Sequence, residues 1–296
     1  MNKPIHTFHI PVMGTAFSID TPVKVARYGI HSVISLVDDT LIEQMRKHYC
    51  EKTWEPYVPI AKYDEDFRAR RITAYLDLVD RMVQKQFAEV KKSHFEPGSE
   101  ITKYFEMLDD VSPLKEKYRR MLATHNPLLK IKLQEELRAE MRPGDINVNI
   151  MTKLDRDNYD AKGNKLPPEF SDALAALRGY ATSGLRSAIV FSAGINRRLY
   201  SYAEQFKDFY ADAAGDIKKK IILKVSDFRS SFIQGKFFAQ KGLWISEYRV
   251  ESGLNCGGHL FATDGYLMGP ILAEFRTRKE EFIQQLHVLY NKALTL

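Results

Sequence analysis

The residues best able to do chemistry lie together in LWISEYRVESGLNCGGHLF, from Leu243 to Phe261. A β-prone run, Leu243, Trp244 and Ile245, ends in the acid Glu247, and a glycine-punctuated loop then delivers one histidine, His259. A strand end followed by a loop with close backbone approach is how a parallel-barrel enzyme presents a group that holds or moves a proton. Cys256 stands beside the pair Gly257 and Gly258, where a thiol in a packed loop is more often inert than reactive.

Other constellations are poorer. Asp155 to Glu169 (DRDNYDAKGNKLPPE) has the acidity of a calcium loop, but Tyr159 and Asp160 stand where an oxygen ligand and a glycine are needed, so it reads as a polar turn. His6, His9 and His31 have no metal-ligand spacing with a carboxylate, and they read as structural. No GxGxxG follows a strand, and the chain contains neither a P-loop nor a GxSxG elbow. Phe237, Phe238 and Trp244 read as core rather than as a base-stacking platform.

The elements that must position these residues alternate in type. Phe8 to Gly14 is a short apolar run. Thr21 is expected to cap a helix that has Pro22 at its first position and ends near Gly29. Ile30 to Val37 is β-branched, and Asp38 and Asp39 then open a second helix, where acids suit the helix dipole. Strands are predicted again at Ile146 to Met151, Ser187 to Ser192, Lys220 to Val225 and Leu243 to Tyr248. Helices are predicted around Glu169 to Tyr180, Arg197 to Ala213, Phe228 to Gln240 and Leu267 to Ala293. Apolar strands separated by helices imply a parallel sheet covered on its faces, either an α/β barrel or a doubly wound sheet.

Residues 51–141 differ, being charged, rich in helix formers and without strand-like runs. They read as a helical insertion on a βα loop, serving as a lid, a partner surface or an oligomer contact. The expected division is therefore 1–50 for the first two βα units, 51–141 for the insertion, and 142–296 for units three to six.

Composition narrows the class. With 296 residues, 44% hydrophobic and 28% charged, the chain can bury a sizeable core. The net charge of +6 is spread among acids, and the densest run, Lys218 to Lys220, reads as solvated surface, so no nucleic-acid partner is expected. No run of 18 apolar residues and no signal-peptide pattern is present, so no membrane partner is expected and the cytoplasm is the expected location. Cys50 and Cys256 lie far apart and read as reduced thiols.

Taken in order, HIPVMG, INVNIM, FSAGIN, KIILKVSD, LWISE and NCGGH resemble the strand ends of the flavin-dependent nitronate monooxygenases and the related flavin-type enoyl-acyl-carrier-protein reductases. The resemblance covers about two thirds of the chain, outside the insertion. It implies a (β/α)8 TIM-barrel-like fold, of which six βα units are visible, and an FMN cofactor. Asn149 falls on the family's flavin-binding asparagine, and Gly257 and Gly258 fall on the paired glycines that let backbone approach the cofactor. His259 falls on the histidine proposed as the catalytic base, and Glu247 on a strand-end glutamate or glutamine. Gly14 and Gly194 are expected to shape the first and fourth loops. The implied activity is oxidation of a small carbon acid or nitro compound, with enoyl reduction as a neighbouring possibility.

Two departures stand out. The step from Tyr248 to Asn255 is longer than the family's, and Asn255 and Cys256 replace a Glu, Ala pair. The sequence stops at ALTL after a sixth helix, so strands seven and eight, which bind phosphate in such barrels, are expected from a continuation of this chain or from another chain. The reading from a different class is a non-catalytic, degenerate barrel that acts as a protein-interaction scaffold or homo-oligomer.

Overall fold

A computed structural model describes residues 5–14, 18–36, 38–152, 155–192, 194–251 and 268–295. Its strands are β1 (His9–Ile10), β2 (His31–Leu36), β3 (Ile146–Ile150), β4 (Ala188–Phe191), β5 (Lys220–Val225) and β6 (Ile245–Val250). The helices are α1 (Thr21–Val25), α2 (Asp39–Thr53), α3 (Phe67–Lys92), α4 (Glu100–Glu106), α5 (Pro113–Ala123), α6 (Pro127–Glu140), α7 (Asp172–Thr182), α8 (Arg197–Tyr202), α9 (Phe228–Ala239) and α10 (Met268–Leu294).

The strands form one six-stranded sheet in the order β1-β2-β3-β4-β5-β6, with parallel pairing of β1 with β2 and of β3 through β6. That order settles a choice left open by the sequence. A doubly wound sheet reverses its winding at a switch point, whereas here each strand lies beside its predecessor, as in a singly wound βα barrel. The chain divides into two compact units, Met1–Ile34 with Asp77–Asn147, and Ser35–Leu76 with Val148–Leu296.

In the first unit, helices α4 to α6 close on a core that includes Phe105, Met121 and Leu137, all fully buried. Phe105 stacks on Tyr118 with ring centroids 5.2 Å apart. The Tyr104 hydroxyl donates to the Arg142 carbonyl at 3.0 Å, and burial pushes its pKa up to about 12. Among the described residues of 51–141 there is no strand.

In the second unit, cross-strand register assigns the faces, because directly paired residues share a side of the sheet. Ile150, Phe191, Leu223 and Tyr248 form one row, and Phe191 stacks on Phe238 of α9 at 6.0 Å. Asn149, Val190, Ile222 and Glu247 form a row on the opposite face. A register shift between Ile221 and Ile222 lets Ile221 pair with Ile245 and Ile222 with Glu247, so Ser246 is the extra residue of a β-bulge.

Several local expectations are corrected. Asp20, not Thr21, is the N-cap of α1, which places Pro22 second in the helix, where its missing N–H still costs no hydrogen bond. The helix expected over Arg197 to Ala213 stops at Tyr202 and gives way to 3-10 turns at Ala203–Gln205 and Lys207–Phe209. Beyond them the Asp212 carboxylate accepts from the amides of Ala214 and Asp216, each at 2.9 Å, and such a side-chain turn competes with helix. Lys219 is not solvated but fully buried. Its ammonium donates to the carbonyls of Tyr180 and Ser183 at the C-terminus of α7, at 2.9 and 2.8 Å, where the helix dipole favours a cation. Strand β6 runs on to Val250, which puts Glu247 within the strand rather than at its end.

Candidate functional site

The C-terminal ends of β3 and β4 are fastened to each other. The amide of Thr152 donates to the Ser192 hydroxyl at 2.9 Å, and the Thr152 hydroxyl donates to the Ser192 and Gly194 carbonyls at 3.1 and 3.2 Å. Gly194 has φ +125°, a backbone conformation that side chains with a Cβ rarely adopt, so this turn requires glycine. Its carbonyl also accepts from the Tyr200 hydroxyl at 2.9 Å, and burial holds that phenol well above its ordinary pKa. Asn196 adds a bond from its side-chain amide to the Thr152 carbonyl at 3.1 Å and caps α8 through the Leu199 amide at 3.0 Å. Gly194 thus shapes the loop after β4.

Asn149 is 3% exposed, and its amide nitrogen donates to the Ser35 hydroxyl at a long 3.4 Å. Its amide oxygen is buried without a partner. A buried acceptor left unpaired costs about 1 to 3 kcal/mol, here in a strand, Ile-Asn-Val-Asn-Ile, that is buried along its whole length.

Lys224 and Arg249 pair in register on the face that carries Asn149, two residues nearer the C-terminal strand ends than the row of Ile222 and Glu247. Lys224 makes an ion pair with Glu251 at 2.8 Å, and Arg249 is bound by Glu247. Below them on the same face, Ala188, Val190 and Ile222 form an apolar cluster. Nearer the strand beginnings the same face also carries Asn147 and Lys220, the latter paired with Ala188, while Lys224 and Arg249 lie toward the C-terminal ends, the end at which parallel barrels bind ligands. Lys224, Arg249 and Glu251 were not among the residues selected from sequence. The signal was the placement of single charges at alternate positions in otherwise β-prone runs, KIILKV and YRVE.

Gly14, in the first unit, accepts through its carbonyl from the Ser18 amide at 3.0 Å. His259, Gly257, Gly258 and Cys256 lie outside the described residues. His6 bonds the Tyr28 carbonyl at 2.9 Å, and His31 accepts from the Asp145 amide at 2.8 Å. In the turn read first against calcium, the Asp160 carboxylate accepts from the amides of Lys162 and Asn164, both at 2.8 Å. Among the described residues, no three His, Cys, Asp or Glu side chains are grouped so as to hold a metal ion, and no helix is long and apolar enough to cross a membrane.

Searches against family models, curated proteins and solved structures found no match to this chain.

Proposed function

We propose that this chain carries the cofactor face of an FMN-dependent oxidoreductase of the nitronate monooxygenase type, acting on a small carbon acid or nitro compound. The observation that carries the reading is the partnerless, buried amide oxygen of Asn149 on the same sheet face as Lys224. A flavin's imide edge alternates one N–H donor with carbonyl acceptors, and an amide oxygen and an ammonium on one sheet face offer the complementary groups. Asn149 would accept from that edge and Lys224 would donate to it, with Glu251 holding the ammonium in place. The bound flavin would supply the two-electron redox chemistry, which protein side chains lack. The resemblance assigns proton removal to His259, a residue type suited to that task near neutral pH.

Titration with FMN, followed by quenching of flavin fluorescence, tests the reading. Saturable binding to the protein that is weakened about tenfold in Lys224→Met is expected, since one charge-assisted hydrogen bond contributes about 1.5 to 3 kcal/mol. No binding by the full protein would overturn it and favour the scaffold reading. His259→Ala is expected to abolish turnover of a nitroalkane while sparing FMN binding.

A further inference from the structure

The second unit contains two cavities that share Phe67 and Arg68 as part of their walls. One, of about 490 Å³, is bordered by the ends of β2 and β3 at Leu36 and Ile150 and by the guanidinium groups of Arg68, Arg71 and Arg156. The other, of about 470 Å³, is bordered by the rings of Tyr63, Phe67, Tyr159 and Phe170.

The charged cavity is a built arrangement. Arg68 Nε lies 2.9 Å from Asp39 and 3.3 Å from Asp172, and Arg156 Nε donates to Asp172 at 2.8 Å. Both guanidiniums are thus held through Nε, and their terminal nitrogens make no protein hydrogen bond among the described residues. Arg71 donates to Asp39 at 2.8 Å and to the Ile60 carbonyl at 2.6 and 2.9 Å. With Lys62 the lining holds four cations against the carboxylates of Asp38, Asp39 and Asp172, a surplus of one positive charge (four minus three).

The aromatic cavity is equally fixed. Tyr63 and Asp66 adopt left-handed backbone conformations, φ +74° and +48°, which cost free energy and persist only where the surroundings impose them. Arg178 clamps the Asp66 carboxylate, and the Asp160 turn with the bridge between Tyr159 and Lys165 fixes the opposite wall. Tyr63 and Tyr159 are nonetheless 51% and 55% exposed, so their rings are open to a ligand.

We propose that this double cavity binds a small molecule with one anionic head and a flat, uncharged ring, of the aryl phosphate or nucleoside monophosphate class. The head meets Arg68 and Arg156, whose paired N–H groups suit a phosphate, and the ring lies among the tyrosines and phenylalanines. A cationic ligand fits less well, because cations of the protein already lie near these rings: Lys62 is 4.9 Å from the Tyr63 centroid, and Arg68 and Arg71 are 5.3 and 5.1 Å from that of Phe67. Glu65 and Asp160 at the aromatic end disfavour a second negative charge there. The proposal uses neither Asn149 nor Lys224 and stands apart from the flavin reading.

Calorimetric titration of the whole protein with phenyl phosphate and with inorganic phosphate tests it. Phenyl phosphate is expected to bind at least tenfold more tightly. Arg156→Gln, at a side chain 79% exposed and so harmless to folding, is expected to weaken both ligands about tenfold. Tyr159→Ala is expected to weaken phenyl phosphate alone. Asn149→Leu should leave both unchanged, which separates this site from the flavin face. Tighter binding of adenosine monophosphate than of phenyl phosphate identifies a nucleotide as the ligand, and equal or weaker binding identifies a simple aryl phosphate. No binding of phenyl phosphate, or affinities unmoved by both Arg156→Gln and Tyr159→Ala, overturns the proposal.

Discussion

A Cβ built on Gly235 of α9 would stand 2.3 Å from the hydroxyl oxygen of Tyr248 on β6. That hydroxyl is buried and without a hydrogen-bond partner, and burial holds its pKa far above the ordinary phenol value. The ring packs edge-on against Phe282 at 5.0 Å, so it has little room to retreat. Glycine inside a helix costs about 1 kcal/mol relative to alanine, while forcing a methyl into a filled core costs about 1 to 3 kcal/mol. The clash therefore wins in the wild-type background, and Gly235→Ala is expected to destabilise by about 1 kcal/mol. In a Tyr248→Phe background the oxygen is gone and the contact left is with Leu286 Cδ1 at 2.9 Å, the end of a side chain that can shift, so the same substitution should cost less than it does in wild type. Urea unfolding of the two single variants and the double variant measures the coupling, and additive effects would show that the two residues do not oppose each other.

Gly144 approaches backbone instead of a side chain. Its Cβ would lie 2.0 Å from the carbonyl oxygen of Ile30, and its own amide donates to the Ala26 carbonyl at 2.7 Å. No rotamer change can relieve such a contact, so Gly144→Ala is expected to cost about 3 kcal/mol or more, at the upper end of overpacking. Thermal unfolding followed by circular dichroism reads the loss, and an unchanged midpoint would contradict it.

The parallel strands were legible in sequence because β3, β4 and most of β5 are buried on both faces, which leaves uninterrupted apolar runs such as AIVF. Their order was not, since barrel and doubly wound sheets share the same βα alternation. What escaped the sequence depends on distant partners. The bulge at Ser246 exists only in the pairing of β6 with β5. Lys219 is read as surface until the C-terminus of α7, 36 residues away at Ser183, is brought onto it. Lys224 joins the candidate site only when register places it on the face of Asn149. Asn149 itself was picked out by resemblance, but its unpartnered oxygen is a fact of packing that no sequence pattern carries.

Glu43 predicts an acid dependence. Its carboxylate is buried, a penalty that by itself would raise its pKa, yet bonds from Arg46, the Ile60 amide and the Tyr57 hydroxyl outweigh this and hold it below the ordinary carboxyl value. A carboxyl with a depressed folded pKa stabilises fully above its unfolded value, about 4.3, and loses that contribution as pH falls through the folded value. Wild type is therefore expected to be more stable than Glu43→Gln at pH 6, with the difference shrinking as pH falls from about 4.3 toward 3. Urea midpoints across that range test it, and a pH-independent difference would remove the carboxylate's charge from the explanation.

The buried ammonium of Lys219 gives a fourth stability test. It holds two carbonyls and the Ser183 hydroxyl, the latter at 3.1 Å, and stands 4.4 Å from the Tyr180 ring centroid. Lys219→Met removes a costly buried charge but strands the carbonyls, each at about 1 to 3 kcal/mol. Because the charge already has several partners, the stranded acceptors dominate, and a loss of about 3 kcal/mol is expected. A variant as stable as wild type would mean that water replaces the ammonium.

Asn149 separates stability from function. Its oxygen is an acceptor paid for in stability, so Asn149→Leu should raise the unfolding free energy by about 1 kcal/mol, the lower end of the penalty for a buried unpaired group. If the oxygen is kept for a cofactor, the same variant should bind FMN at least tenfold more weakly, since its hydrogen bond is lost and a leucine side chain faces a polar edge. Opposite movement of the two quantities is the signature of a binding group, because a purely structural asparagine would lose stability when replaced. A stabilised variant with unchanged FMN affinity would leave the orphaned oxygen real but move the flavin's polar edge away from β3. A destabilised variant would show that the bond to Ser35, long as it is, outweighs the unpaired acceptor.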